Sequence, residues 1–129
     1  MSRKPTKAAL RKNARKLWGA IIHARGDEWG CIVGDECGFS LQAHHLIPKT
    51  HAATEFDVQN GVILCAKHHI SCNKLSAHGS PLAFAAFLME HYPDEWAYAE
   101  ANKNRFQTRT ALFYVEQIAI LTKMLEATT

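Results

Sequence analysis

Cysteine and histidine, the two residue types best suited to hold a transition metal, are crowded into one part of this chain. Residues 31–78 contain all four cysteines (Cys31, Cys37, Cys65, Cys72) and six of the eight histidines (His44, His45, His51, His68, His69, His78). Packing alone does not produce that density, whereas metal ligation does. Cys65 and His68 have the two-residue gap through which neighbouring ligands chelate one tetrahedral ion. Cys31 and Cys37 flank the turn IVGDE. The four together read as a zinc knuckle, with thiolate and imidazole donors suited to a structural Zn²⁺. The gap between Cys31 and Cys37 is wider than usual for such a pair, and Cys72 competes with His68 for the fourth position.

A second group is interleaved with the first. The stretch QAHHLIPK at 42–49 places His44 and His45 side by side. On a strand, adjacent side chains point to opposite faces, so the two cannot be equivalent unless the backbone bends there. Asn60 follows in NGVILC at 60–65, and His69 stands directly after His68.

In this order, AHHLIP, NGVILC and the His68–His69 pair resemble the HNH endonucleases of the ββα-metal class. SAHGSPLAFAAFL at 76–88 resembles the small HNH proteins of phages and prophages, in which a His-x-x-Pro-x-x-Phe run follows. The resemblance covers residues 17–104 and leaves the last helix outside. It implies a metal-dependent DNA endonuclease. His45 would be the general base that deprotonates a water. His44 and His69 would ligate a catalytic divalent ion (Mg²⁺, Mn²⁺, Ni²⁺ or Zn²⁺), with His78 or Asn73 as third ligand. Asn60 would tie the loop between the strands and so fix the base. The implied products carry 5′-phosphate and 3′-hydroxyl ends. Ala43 stands where many relatives have Asp, so His44 must ligate alone at that end. A zinc-stabilised DNA-binding or assembly module without catalysis is the alternative. His23 and His51 receive no role.

These residues need elements to hold them. Leu10, Ala14, Leu17, Trp18, Ile21 and Ile22 recur at helical spacing, which predicts a helix over 6–25, started by Pro5 and Thr6 and stopped by Gly26. Phe39–His45 and Gly61–Cys65 read as strands, separated by the long loop KTHAATEFDVQN. AKHHISCNK begins a helix, Gly79, Ser80 and Pro81 turn the chain, and further helices are expected over 81–92, 93–104 and 108–127. The last has a broad apolar face that fits either the domain or a second copy. The expected fold is α+β. A ββα-metal core with a zinc knuckle (27–80) is flanked by a basic helical arm (1–26) and a helical C-terminal part (81–129), all in one domain.

Charge is uneven. Residues 1–26 carry eight Lys or Arg and no acid, while the rest of the chain is net negative, against an overall charge of +3. That pattern suggests a polyanionic partner, most often nucleic acid, and the resemblance implies DNA held mainly by its backbone. Lys7, Arg11 and Arg15 line one helix face, and Lys49 and Lys74 flank the histidines. No apolar run is long enough for a membrane span, and MSRKPTKAALRK has no apolar leader. A cytoplasmic protein is expected, in the host cell if phage-encoded. A homodimer would use the apolar face of the last helix, whereas a partner in phage packaging or recombination follows from the resemblance alone.

Overall fold

Thr6 opens the first helix, its hydroxyl accepting a hydrogen bond from Ala9 N at 3.1 Å. In the computed structural model, which describes residues 3–38 and 40–128, this helix, α1, spans Lys7–Trp29. It passes through Gly26, where the sequence predicted a stop. Gly26 is a packing glycine instead: a Cβ there would lie 2.5 Å from the Ile63 side chain. The helix ends at Gly30, whose φ of 75° is readily adopted only by glycine.

Two strands follow, β1 (Leu41–His45) and β2 (Gly61–Cys65), paired antiparallel. β1 is shorter than expected, and Phe39 lies outside the described residues. His44 pairs with Val62, and His45 pairs with Gly61. Paired residues share a face, so Gln42 and His44 stand with Val62 and Leu64, while Ala43 and His45 stand with Ile63 and Gly61. All five residues of β2 are buried, as its unbroken apolar run suggests. One 3₁₀ turn, Val58–Asn60, delivers the chain into β2.

The helix expected from AKHHISCNK is only one π-helical turn, Lys67–Ser71. Then come α2 (Pro81–His91) and α3 (Pro93–Asn102), each with proline in its first turn, and α4 (Ala111–Thr128). α4 starts later than its periodicity indicated because Thr110 Oγ1 accepts from Phe113 N at 3.0 Å, the geometry of an N-cap.

The core has two lobes on either side of β2. Ala14, Trp18, Ile21 and Ile22 of α1 meet Ile63, Phe56, Tyr114 and Leu121, which joins α1 to α4 and to the sheet. Val62 and Leu64 pack instead with Cys31, Cys65, Phe84 and Leu88. The basic N-terminal segment is therefore one wall of the core. The result is a mixed α+β fold around a two-stranded antiparallel sheet. Among the described residues no helix is long and apolar enough to cross a membrane.

Candidate active site

The knuckle residues converge. Cys31 follows α1, Cys37 lies on the next turn, Cys65 ends β2, and His68 sits on the π-helical turn. Their donor atoms lie within 4.8 Å of one another. His68 Nδ1 is 3.7 Å from Cys31 Sγ, 3.8 Å from Cys37 Sγ and 3.1 Å from Cys65 Sγ. Sulfur and nitrogen ligands on one tetrahedral zinc ion stand ~3.5 Å apart, given bonds of ~2.3 and ~2.0 Å, so the donors are already near the required spacing. Burial, then the neighbouring thiols Cys31 and Cys65, push Cys37 up to about 12. Cys65 goes the other way: burial opposes it, but hydrogen bonds from the Gly38 and His68 backbone and from the Cys31 and Cys37 thiols hold it below its usual value. With soft donors at near-tetrahedral spacing, the Cys₃His cluster could hold a metal ion such as zinc. Cys72 lies outside this cluster, on a shallow cavity with Lys67, Asn73 and Lys74.

On the other side of the π-helical turn, His44, His69 and His78 form a second cluster, again with donor atoms within 4.8 Å. Ring centroids are 5.0 Å apart for His44–His69, 5.2 Å for His44–His78 and 4.8 Å for His69–His78. His78, rather than Asn73, reaches this cluster because the segment after the turn folds back beneath it. His78 N donates to His69 O at 2.9 Å and Ala77 N donates to His68 O at 2.8 Å. Buried Ser76 donates to Cys72 O at 2.7 Å and accepts from Gly79 N at 2.8 Å. A Cβ at Gly79 would collide with the Ile70 and Cys72 carbonyls. Phe84, one turn into α2, packs edge-on against His44 at 5.8 Å.

Burial, then the neighbouring histidines, hold His44 down to about 3; burial and His78 lower His69. Both are neutral imidazoles near pH 7, the form that ligates a metal. Gln42, one strand repeat before His44, receives the His69 Nδ1 proton at 2.6 Å on Oε1. A carboxamide oxygen only accepts, so Nδ1 carries the proton and Nε2 keeps the lone pair that can ligate a metal. His78 is exposed, which keeps this cluster open to solvent on one side.

His45 points to the opposite face of β1. Its ring stacks on Trp18, with centroids 3.8 Å apart and planes 9° from parallel. Gly61 makes room for this contact, since a Cβ there would stand 2.7 Å from the Trp18 ring. His45 Nε2 lies 2.9 Å from the Glu55 carbonyl oxygen. That oxygen can only accept, so Nε2 is protonated and Nδ1 keeps its lone pair. Burial, with help from Arg15 and Lys49, outweighs the hydrogen bond and lowers the His45 pKa. Asn60 is fully buried and braces the loop: its Oδ1 accepts from Ile47 N at 2.7 Å, and its Nδ2 donates to Ile47 O at 2.9 Å and Thr54 O at 3.0 Å.

The basic residues have partners inside the protein. Arg11 and Arg15, with Arg109, surround the buried carboxylate of Glu55. Lys7 Nζ donates to Arg109 O at 3.3 Å, and Lys49 O accepts from Arg11 and Arg109. Lys74 stands with Cys72 on the far side of the knuckle. Four residues that the sequence reading gave no part in the site touch it: Trp18, Gln42, Glu55 and Arg109. Gln42 was discoverable, since strand alternation puts it on the face of His44. The others depend on contacts between distant segments. Compared with protein-family models, curated proteins and solved structures, the chain matches none.

Proposed function

We propose that this protein is a metal-dependent endonuclease of the ββα-metal (HNH) kind, hydrolysing DNA phosphodiester bonds with contacts mainly to the backbone. One observation carries the reading: an open, three-imidazole cluster on one face of β1 is followed, at the next residue of the same strand and on its opposite face, by a histidine whose Nε2–H is held by a carbonyl and whose Nδ1 keeps its lone pair. Three protein ligands with an open side are the pattern of a catalytic ion, whereas the closed Cys₃His set is the pattern of a structural one, here zinc.

In this reading His45 takes the proton from the attacking water at Nδ1. Its lowered pKa keeps it unprotonated at neutral pH, and the Trp18 stack and the Glu55 carbonyl fix the ring in one orientation. Asn60 acts through the loop, holding the Glu55 carbonyl in place and touching no substrate. His44, His69 and His78 hold a divalent cation, which when bound supplies Lewis-acid stabilisation of the phosphate and the leaving oxygen. Gln42 selects the nitrogen that His69 presents. Arg15 is the arginine best placed to reach a phosphate: it makes the longest of the three contacts to Glu55, 3.3 Å, and its side chain is the most exposed of the three.

The test is relaxation of supercoiled plasmid with Mg²⁺, Mn²⁺ or Ni²⁺, against EDTA and against a His45→Ala preparation of equal zinc content. Metal-dependent nicking that vanishes in His45→Ala is the expected result. DNA binding without cleavage under all three ions would favour a silent binding module, and equal cleavage by His45→Ala would remove the assignment.

A further inference from the structure

We infer that Glu55 is the positioning residue for His45, and that three arginines from the two ends of the chain clamp it in place. This rests on the reading of His45 as the base, but the contacts lie outside the 17–104 span on which that reading was built: Arg11 and Arg15 belong to the first half of α1, and Arg109 to the segment before α4.

Glu55 works at both ends. Its backbone carbonyl holds His45 Nε2–H at 2.9 Å. Its carboxylate is 0% exposed, in a loop with no strand to brace it. Arg11 Nε reaches both oxygens, at 3.1 and 3.0 Å, and Arg109 Nη1 reaches Oε1 at 2.6 Å. Arg109 Nη2 also donates to Lys49 O at 3.1 Å and to Thr50 O at 3.0 Å. One guanidinium thus joins the start of the loop to its middle, a span suited to the planar fork of arginine. Arg109 is itself held by Tyr114 Oη, 3.3 Å away, from a side chain sunk in the α1–α4 core.

An isolated buried carboxylate is strongly unfavourable, so a fully dehydrated Glu55 is kept only where cations surround it. The carboxylate is held ionised: burial opposes this, but hydrogen bonds and charge from Arg11 and Arg109 outweigh it. The ion pairs fix the loop from outside, Asn60 fixes it from inside, and between them lies the single carbonyl that selects the tautomer and aim of His45.

The test compares full-length wild type with Glu55→Gln, Arg109→Lys and a packing control, Leu121→Ala. The first readout needs no activity: ring ¹⁵N shifts of His45 at a fixed pH of about 8, where the imidazole is neutral. Wild type is expected to show a single Nε2–H tautomer. Arg109→Lys should mix the tautomers and lower kcat about 10-fold, and Glu55→Gln about 100-fold, with KM changed less than about two-fold, the scale of a misaimed catalytic group. Leu121→Ala should lower Tm without moving the tautomer or kcat. If Glu55→Gln does not fold, Arg109→Lys decides. A single Nε2–H tautomer and unchanged kcat in folded Arg109→Lys would overturn the inference, as would a tautomer shift of equal size in Leu121→Ala. Wild type that holds the tautomer but does not cut DNA would instead overturn the endonuclease reading and leave the clamp supported.

Discussion

The two ligand clusters are built from adjacent residues yet differ in almost every physical respect. His68 and His69 share one π-helical turn, but His68 turns toward three cysteines and His69 toward two histidines. In the first cluster Cys31, Cys65 and His68 are buried, and four donors are enough to close a tetrahedron. In the second, three imidazoles, that of His78 exposed, leave one side open. The same divergence occurs on β1, where His44 joins a cluster and His45 faces Trp18. Residue type therefore says little about role here. The direction imposed by strand alternation, or by one helical turn, divides equal side chains among a closed Cys₃His set, an open three-histidine cluster and a stack on Trp18.

The difference can be broken most sharply at Cys65. Structural zinc contributes roughly 10 kcal/mol or more in small domains, so Cys65→Ser should leave the chain unfolded at 37 °C by circular dichroism, as should prolonged chelation. A folded Cys65→Ser protein with native Tm would show that the closed cluster is not a staple. His45→Ala comes next: plasmid nicking should fall by about 10²–10⁴-fold, the range for losing a general base, with both metal equivalents retained by elemental analysis. His44→Ala should keep the fold and one equivalent of metal but lose the second, and affinity measured by calorimetry should drop by more than the roughly 10–100-fold expected for an outer partner. Retention of two equivalents would break the distinction between His44 and His45. The smallest effect belongs to Gln42→Ala, with a loss of about 10–100-fold in affinity at the open cluster and none at the closed one. An equal loss at both would mean that Gln42 supports the fold rather than His69.

Much of the site was readable because its signals are local. The Cys65–His68 gap is a matter of a few residues, and the β-branched run GVILC announces β2. The stripe Leu10–Ala14–Trp18–Ile21 announces the buried side of α1. What could not be read depends on pairs brought together by the fold. Glu55 meets arginines 44, 40 and 54 positions away. The face of Lys7, Arg11 and Arg15 therefore looked like an arm for a polyanion, although much of its charge is spent on a carboxylate inside the protein. Gly26 resembled a stop because glycine usually ends helices. Its use here, admitting Ile63, appears only once β2 is laid against α1. The Trp18–His45 stack is of the same kind, since the indole could be assigned to the core but not to the ring it covers.

The shared π-helical turn also has a consequence in time. His69 and His78 are joined through backbone hydrogen bonds to a segment whose shape depends on His68 and Cys65 being held together. On the function proposed above, a newly made chain that had not captured an ion at the Cys₃His cluster would lack the fixed frame on which the three histidines assemble. Loading would then be sequential, and the nascent protein would stay unarmed until its scaffold was complete.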